Sequence, residues 1–313
     1  MSASAQKVMI VGVGAAGTVH AKALEGFPDA AVIAGVDIDQ SRILTFRGQR
    51  VPVYPTVFDT TNRGLDPDIV VIATSTQSHR QVCSEVTEHY PQAAVIVEKP
   101  AADNLADARK MIDYGGKQPV NVTYHMAFSP EVDWALGQVS AKAELLDSPV
   151  AIESWFTDPY QAGLAAAQER FGTSWIDSGI NALSVIERFA RLVERTSLRQ
   201  IGDTSKSTFE GSFICQLQEN RLPAIVLTSW YSTAPTRTTR IRYSSGAELV
   251  MDHNAVAGYL LANGEAADMY GSDGIVPRRE AHYKAWYQSW LVDKRQIFSR
   301  DTSLRLHELL LGS

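Results

Sequence analysis

The stretch Lys7-Val-Met-Ile-Val-Gly-Val-Gly-Ala-Ala-Gly-Thr-Val-His20 joins an apolar run to three closely spaced glycines. The run Val8–Val11 has the length and composition of a strand that is buried on both faces. The glycines, in the spacing G-x-G-x-x-G, are Gly12, Gly14 and Gly17. Residues 15–26 then indicate a helix, because apolar residues continue until Gly26 and Pro28 end it.

Each glycine has a mechanical role in a strand–turn–helix unit of this kind. The first allows a tight turn, the second lets the backbone approach a pyrophosphate, and the third lets helix and strand pack closely. The helix N-terminus then directs free N–H groups at the phosphates. A second apolar strand, residues 31–36, ends in Asp37, about 20 residues after the last glycine, where a carboxylate binds a ribose 2′-hydroxyl. The stretch therefore predicts a dinucleotide-binding site.

The composition is that of an ordinary globular protein with room for two domains. The chain has 313 residues, 45% of them hydrophobic and 20% charged, and a net charge of -6 that argues against sequence-independent nucleic-acid binding. No apolar run approaches the roughly 18 residues of a membrane span. The start lacks the pattern of a signal peptide. Cys83 and Cys215 form no CxxC pair, so we expect buried, reduced thiols, no metal site and a cytoplasmic location.

Short apolar strands alternate with helices through residues 1–125, which predicts a doubly wound parallel sheet of the Rossmann type. Ligands of such sheets lie outside the carboxyl ends of the strands. The residues expected to converge there are Gly12, Asp37, Thr74, Glu98, Lys99 and His125. We expect short helices at 39–47 and 56–63, and a longer one at 104–115.

The pattern changes in residues 126–313, which predict a second, α+β domain with an open antiparallel sheet. We expect a loop or irregular segment over 158–173 and a helix over 175–193. Successive strands without helices between them are expected at 150–156, 209–216, 224–231, 238–243 and 248–252. An aromatic-rich helical stretch at 283–292 is expected to serve packing.

Three motifs occur in order, and together they resemble those of the glucose–fructose oxidoreductase / inositol dehydrogenase (Gfo/Idh/MocA) family. They are Gly12-x-Gly14-x-x-Gly17-x-x-His20, Glu98-Lys99-Pro100 and Asp177-x-Gly179-x-Asn181. The resemblance covers nearly the whole chain and implies an NAD(P)-dependent oxidoreductase. The cofactor-binding residues it implies are Gly12, Gly14, Ala15, Ala16, Gly17, Asp37, Ile38, Thr74, Ser75, His79, Glu98 and Lys99.

Asn181 stands where most members of that family have the histidine assigned as acid/base. The segment around Asp177 and Asn181 is similar instead to the L-arabinose/D-galactose 1-dehydrogenase branch. Residues i and i+4 share one helix face, and spacing alone favours a solvated polar stripe, which Ser184 and Arg188 would continue. The resemblance favours a functional role for the pair.

The resemblance implies that Lys99 and Asp177 flank a reacting hydroxyl and that one of them takes its proton as hydride leaves. An amide cannot accept a proton at neutral pH, so Asn181 would orient the substrate by hydrogen bonding. The residues expected at the substrate are His125, Trp155, Asp158 and Asn181. Taken alone, Trp155 and Asp158 are each better explained by packing or loop structure than by a role at the substrate.

The expected cofactor is NAD, because a carboxylate at Asp37 accepts from a 2′-hydroxyl and repels a 2′-phosphate. Arg42 is close enough in sequence to soften that preference, which leaves NADP open. The expected reaction is oxidation of an aldose to its lactone. Two alternatives remain: a keto-sugar or imine reductase, and a non-catalytic NAD(P)-binding sensor. We also expect a homodimer or homotetramer formed through the open sheet.

Overall fold

A computed structural model describes residues 5–112, 120–202, 208–293 and 298–312 of the chain. The chain divides into two compact units. The first extends to Thr123 and also takes in Trp286–His307, while the second holds Tyr124–Ala285 and the residues from Glu308. The sequence-based division at 125/126 differs at the C-terminal end, where a segment of the expected second domain belongs to the first unit.

The first unit contains the expected parallel sheet. Its strands are β1 (Gln6–Val11), β2 (Ala30–Val36), β5 (Val53–Tyr54), β6 (Ile69–Ile72), β7 (Ala94–Glu98) and β8 (Val120–Thr123). They lie in the order β5-β2-β1-β6-β7-β8, and all neighbours are parallel. All four residues of β6 are buried, as the apolar run predicted. The strand order reverses beside β1, which puts the glycine turn at the usual ligand-binding edge of such a sheet.

Four helices connect these strands. They are α1 (Ala15–Leu24), α2 (Val57–Asn62), α3 (His79–His89) and α4 (Leu105–Ile112). The hydroxyl of Thr56 accepts from the Asp59 N–H at the start of α2, as an N-cap residue does. The last three residues of the helix expected at 104–115 lie outside the described residues.

The short helix expected at 39–47 was wrong. A hairpin occupies this region instead, with β3 (Leu44–Phe46) antiparallel to β4 (Gln49–Val51). The two residues between the strands, Arg47 and Gly48, have φ values of 49° and 74°, as the tightest hairpin turns require. Alternation decides the outcome, because Leu44 and Phe46 are buried and the residue between them is exposed.

The second unit is built on an eight-stranded sheet in the order β10-β11-β12-β9-β13-β14-β15-β16. The strands are β9 (Pro149–Pro159), β10 (Arg191–Gln200), β11 (Thr208–Leu217), β12 (Asn220–Ser229), β13 (Tyr231–Tyr243), β14 (Glu248–Asp252), β15 (Ala257–Ala262) and β16 (Glu265–Gly271). The pairs are antiparallel except β9 with β12, which are parallel. Three of these strands, β10, β15 and β16, were not expected from the sequence.

The remaining helices are α5 (Pro130–Ala141), α6 (Leu164–Phe171), α7 (Ile180–Phe189), α8 (Arg278–Tyr287) and α9 (Arg300–Leu311). Two expectations fail here. The segment 158–173 contains α6 rather than only loop, and the helix expected over 175–193 ends at Phe189. That helix is also preceded by a π-helical turn over Trp175–Gly179, and Ala190 turns to an extended conformation that leads into β10.

One face of the second sheet is covered, and the other is open among the described residues. α7 and the π-helical turn lie against β9. Along β9, Ser154, Phe156 and Asp158 are buried, while Trp155 between them is 52% exposed. Ile225 of β12 is 39% exposed. It lies on the same open face as Trp155, because it pairs with Glu153, which is two residues from Trp155 on β9.

Candidate active site

The glycine turn between β1 and α1 is shaped by two close approaches and one open position. Gly12 has a φ of +94°, and a Cβ there would lie 2.6 Å from the Ala73 carbonyl. A Cβ on Gly17 would lie 2.0 Å from the Gly12 oxygen. A Cβ on Gly14 would meet no heavy atom within 4 Å. Space is therefore left at the glycine that the sequence assigns to the pyrophosphate, and the turn fits a dinucleotide.

Asp37 follows β2 and holds this turn together. Its Oδ2 accepts from the Val13 N–H at 2.7 Å, and its Oδ1 accepts from the Asp39 N–H at 2.9 Å. Each carboxylate oxygen accepts more than one hydrogen bond, so the group retains capacity for ribose hydroxyls. Arg42 pairs with Asp39 at 3.1 Å, and hydrogen bonds from Ser41 lower the pKa of Asp39. Arg42 is thus already matched by a carboxylate.

Three further cofactor candidates lie beyond the carboxyl ends of the same sheet. Ile38 is 93% exposed, although it is apolar, which suits a surface that a nucleotide covers. Thr74 follows β6 and has a buried Oγ1 without a hydrogen-bond partner among the described residues. Ser75 beside it is exposed, and its carbonyl accepts from the Ser78 hydroxyl at 2.8 Å. Ala15 and Ala16 form the first turn of α1, where backbone N–H groups have no partner within the helix.

His79 is buried at the start of α3. Its ring nitrogens lie 3.1 Å from the Ala101 oxygen and 3.2 Å from the Thr74 oxygen. Burial lowers the pKa of the ring, against the opposing effect of these carbonyls. The imidazole therefore links the loop after β6 to the loop after β7.

Glu98 ends β7 inside a buried network that the sequence did not predict. His20 of α1 contacts Glu98 Oε1 through Nε2 at 2.9 Å and the Tyr287 hydroxyl through Nδ1 at 2.7 Å. Burial and then the Glu98 charge raise the pKa of Tyr287 well above its usual value. Lys99 follows directly, half-buried, and its peptide bond to Pro100 is cis. The spacing of His20 after Gly17 in the first motif was the only signal for it that the sequence offered.

Asp177 and Asn181 lie together in the second unit. Asp177 is in the π-helical turn and Asn181 in the first turn of α7, and the Asn181 Nδ2 donates to the Asp177 carbonyl at 3.5 Å. Asn181 is 7% exposed, and its Oδ1 is buried without a hydrogen-bond partner among the described residues. Ser184 is fully buried and Arg188 donates to the Ala127 oxygen, so the stripe is not a solvated face.

His125 and Asp158 also lie in the second unit, on the covered side of its sheet. The short 3₁₀ turn that begins at His125 lies against α7, and the His125 ring stacks on Tyr283 at 4.5 Å. Asp158 is 4% exposed and forms an ion pair with Arg237. Trp155 lies on the opposite face of β9 from Asp158, and the structure does not bring these two candidates together.

Tyr160 shows that Asp158 and Asp177 belong to one electrostatic environment. Burial raises the pKa of its phenol, and the charges of Asp158 and Asp177 raise it further, while Arg237 and Arg279 oppose them. All four charges therefore act on a single hydroxyl. Asp177, chosen from a motif, therefore affects the same phenol as Asp158.

A second buried polar cluster, formed by Ser129, Glu131, His253 and His282, contacts His125 through the His282 ring. Glu131 Oε1 accepts from the Ser129 hydroxyl at 2.6 Å and contacts His253 Nδ1 at 2.7 Å. Burial opposes ionisation of Glu131, but the hydrogen bond and charge of His253 hold its pKa below the usual range. His282 stacks with His125 at 6.0 Å, and burial lowers the pKa of His282 to about 3.

The described residues also bear on metal binding and on membrane spanning. No group of three or more His, Cys, Asp or Glu residues is arranged to hold a metal ion there. In the same residues, no helix combines the length and apolar character needed to cross a membrane. Both cysteines are buried, and burial raises the pKa of Cys83 to about 11 and that of Cys215 to about 12.

Comparisons with known proteins agree with this fold. A curated relative, myo-inositol 2-dehydrogenase from Thermotoga maritima, is 29% identical over 119 residues, which are 36% of this chain and 34% of that protein. The match thus spans about a third of the relative's length. A solved oxidoreductase from Agrobacterium radiobacter, in complex with NAD+, L-tartaric acid and magnesium, superposes with a TM-score of 0.76 at 16% identity, covering 99% of this chain and 95% of its own.

A myo-inositol dehydrogenase from Corynebacterium glutamicum superposes with a TM-score of 0.73 at 17% identity, covering 98% of this chain and 94% of its own. At such identities the structures show a shared fold. The family model described as oxidoreductase family, NAD-binding Rossmann fold, matches residues 6–126. The likeness to this oxidoreductase family therefore lies in residues 6–126, the first domain, and NAD is the cofactor of the Rossmann fold that the family model describes.

Proposed function

We propose that the protein is an NAD-dependent dehydrogenase of a sugar or polyol, and in its specific form an aldose 1-dehydrogenase that produces a lactone. The observation that carries the proposal is the Asp177–Asn181 pair. Asn181 presents a buried amide oxygen without a donor among the described residues, and its Nδ2 lies 3.5 Å from the main-chain oxygen of Asp177. A sugar hydroxyl supplies the missing donor, because buried acceptors are normally hydrogen-bonded.

The reaction removes a hydride from C1 and a proton from the hydroxyl on the same carbon, and it leaves a carbon–oxygen double bond. Bound NAD supplies the hydride acceptor. In one arrangement Asp177 removes the proton and a protonated Lys99 stabilises developing negative charge on the reacting oxygen; in the other, Lys99 is the neutral amine and removes the proton itself. Asn181 orients the hydroxyl through its amide. His125 and Asp158 are proposed to contact other hydroxyls of the sugar.

A hemiacetal substrate explains why asparagine serves at position 181. The hydroxyl on C1 of a cyclic aldose is more acidic than that of a simple secondary alcohol. A weaker base therefore suffices, and the family's usual histidine is not required at this position. A substrate without a hemiacetal, such as an inositol, makes a greater demand on the base and is expected to react more slowly.

The test combines a substrate panel with paired variants. Wild-type protein is incubated with NAD or NADP and with arabinose, galactose, fucose, xylose, glucose or inositol, and reduced cofactor is followed at 340 nm. Lys99→Ala and Asp177→Asn are expected to lower kcat by about a hundredfold to ten-thousandfold with a smaller change in KM. The exposed residues Lys110 and Asp147 provide the controls Lys110→Ala and Asp147→Asn.

The dependence of kcat on pH identifies the proton acceptor. In the wild type kcat should increase with pH as the base loses its proton, and only the variant without that base should lose this increase. Near-normal turnover by Lys99→Ala or Asp177→Asn would contradict the assignment. Tight NADH binding without turnover of any sugar would favour the non-catalytic NAD(P)-binding sensor. Turnover only in the direction of NADH oxidation would favour the keto-sugar or imine reductase.

We also propose that the open face of the second sheet pairs with a second copy of the chain. The supporting observation is its exposed apolar surface, which includes Trp155 at 52% and Ile225 at 39% exposure. Monomeric proteins seldom leave such residues clustered on a flat sheet. Trp155 is accordingly reassigned, as a proposal, from the substrate to this interface.

A further inference from the structure

The loop that follows β7 carries Lys99 between two residues that are held in place. Glu98, the last residue of β7, precedes Lys99, and the buried Ala101 lies two residues after it. We propose that three buried histidines, which contact Glu98 or Ala101, are positioning residues for Lys99 in the reaction. They are His20, His79 and His307, and we call them the histidine clamp. The inference rests on the role of Lys99 in the proposed function.

The histidine clamp draws on three helices of the first unit. His20 is in α1, His79 begins α3 and His307 is in α9. Their exposed fractions are 0%, 1% and 0%. Helices that are distant in the chain therefore meet at one short loop, and each contributes a ring whose polar atoms are removed from solvent.

Ala101 is held through both of its main-chain polar groups. Its N–H donates to His307 Nε2 at 2.9 Å, and its carbonyl oxygen lies 3.1 Å from His79 Nδ1. His307 Nδ1 donates to the Ser303 oxygen at 2.8 Å, so Nε2 is the acceptor nitrogen of a neutral ring. The other nitrogen of His79 lies 3.2 Å from the Thr74 oxygen, which ties this end of the loop to the end of β6.

Glu98 is held through its side chain. Its Oε1 lies 2.9 Å from His20 Nε2, and His20 Nδ1 lies 2.7 Å from the Tyr287 hydroxyl. An ionised carboxylate only accepts hydrogen bonds, so Nε2 is the nitrogen that donates. Tyr287 is fully buried and packs edge-on against His20 at 5.7 Å and against Trp286 at 5.1 Å, measured between ring centroids. The His20 ring is thereby restrained at both of its nitrogens.

These contacts specify the conformation of the main chain on both sides of Lys99. A buried polar ring is unfavourable unless it is hydrogen-bonded, so each histidine favours the loop conformation that supplies its partner. Buried networks of this kind select one arrangement of the chain. Glu98, Pro100 and Ala101 are buried, whereas Lys99 is half-buried. Lys99 is therefore the residue of this segment that reaches the surface of the unit.

Positioning of this kind affects the chemical step more than substrate binding. A group that acts on a reacting atom must keep its place to within about 0.5 Å. A misplacement of about 1 Å lowers the rate about a hundredfold. Loss of one contact of the histidine clamp should therefore lower kcat and leave KM nearly unchanged, because the other contacts of the sugar persist.

The first experiment compares His307→Asn with His307→Gln. Asparagine keeps a donor near the position of Nδ1 but does not reach Ala101, whereas glutamine places an amide oxygen near the position of Nε2. His307→Asn is expected to lower kcat about tenfold to a hundredfold and to change KM by less than about threefold, and His307→Gln to keep most of the wild-type kcat.

Thr60→Val is the matched control for the loss of a buried hydrogen bond. Thr60 is fully buried in the first unit, and its hydroxyl lies 2.8 Å from that of Tyr90. This variant is expected to lose stability and to keep its kcat. The same loss of kcat in Thr60→Val as in His307→Asn would overturn the inference.

The Lys99→Ala background tests whether His307 acts through Lys99. The effect of His307→Asn on kcat should shrink to less than about twofold there, because the group that it positions is absent. An equal effect in both backgrounds would overturn the inference.

A further measurement requires no turnover. The rate at which trinitrobenzenesulfonate modifies Lys99 in the NAD-loaded protein is followed by peptide mass spectrometry, with the exposed Lys110 as internal reference. His307→Asn and Tyr287→Phe are each expected to raise this rate about threefold or more, because loss of a contact makes local opening of the loop easier. His307→Gln and Thr60→Val are expected to leave it unchanged. Tyr287→Phe removes a single oxygen and carries the test if His307→Asn does not fold.

The outcomes separate this inference from the proposed function. Turnover of a sugar with unchanged modification of Lys99 in both His307→Asn and Tyr287→Phe overturns the histidine clamp and leaves the dehydrogenase intact. Faster modification of Lys99 in these two variants alone supports the histidine clamp even when no sugar is oxidised, and only the proposed function then fails.

Discussion

Replacement of Gly14 by alanine separates cofactor affinity from stability. The added methyl meets no protein atom within 4 Å, and the backbone φ of -87° suits alanine. Loss of unfolded-state entropy stabilises by about 0.4–1 kcal/mol. Alanine is a poorer helix N-cap than glycine by about 0.5–1 kcal/mol. The two effects nearly cancel, so the free energy of unfolding is expected to change by less than about 0.5 kcal/mol.

Gly17→Ala is the matched contrast. Its Cβ would lie 2.0 Å from the Gly12 oxygen, so backbone must move, at a cost of about 3 kcal/mol or more. Gly14→Ala should instead weaken NADH binding about tenfold to a hundredfold, because the methyl occupies the approach of the pyrophosphate. Urea unfolding and NADH fluorescence titration measure the two quantities. Unchanged NADH affinity in Gly14→Ala would refute the account of this turn.

Three further predictions follow from the structure. Asp37→Ser should lower the NAD/NADP ratio of kcat/KM at least tenfold; an unchanged ratio would exclude Asp37 from the choice of cofactor. His307 donates from Nδ1 to the Ser303 oxygen and accepts the Ala101 N–H through Nε2, and burial lowers its pKa to about 4. Between about pH 6.5 and 4 the unfolded state therefore binds a proton that the folded state does not. The free energy of unfolding should fall by about 3 kcal/mol as the pH decreases over that window, and by less in His307→Gln. Equal losses in the two proteins, measured by urea unfolding, would rule out the ring as the cause. Trp155→Glu should shift the protein to a smaller species in sedimentation velocity, whereas an unchanged profile would place the interface elsewhere.

The first sheet was predictable because its signals are local. Buried parallel strands are continuous apolar runs, and β1 and β6 show this pattern within a few residues. β10 was missed for the opposite reason, since nearly all of its ten residues are exposed or half-buried and show no apolar alternation. α6 was missed because only Ala167 of its eight residues is buried.

The candidate site was predictable where a motif or a spacing carried it. The Asp177–Asn181 pair follows from a spacing of four along a helix. Alternation did not separate Trp155 from Asp158 in advance, because the expected strand ended at Phe156; the observed strand β9 includes both residues, and residues three apart on a strand face opposite sides. The His20–Tyr287 contact joins residues 267 positions apart, which no local pattern reveals.

The most direct test of the central claim is the fate of the hydrogen on C1. Galactose deuterated at C1 is oxidised with NAD, and the reduced cofactor is analysed by mass spectrometry. The account predicts reduced cofactor that is one mass unit heavier, a lactone product, and slower turnover of the deuterated sugar. Reduced cofactor without deuterium would move the reaction to another carbon, and the absence of reduction with galactose or any other aldose would contradict the proposed activity.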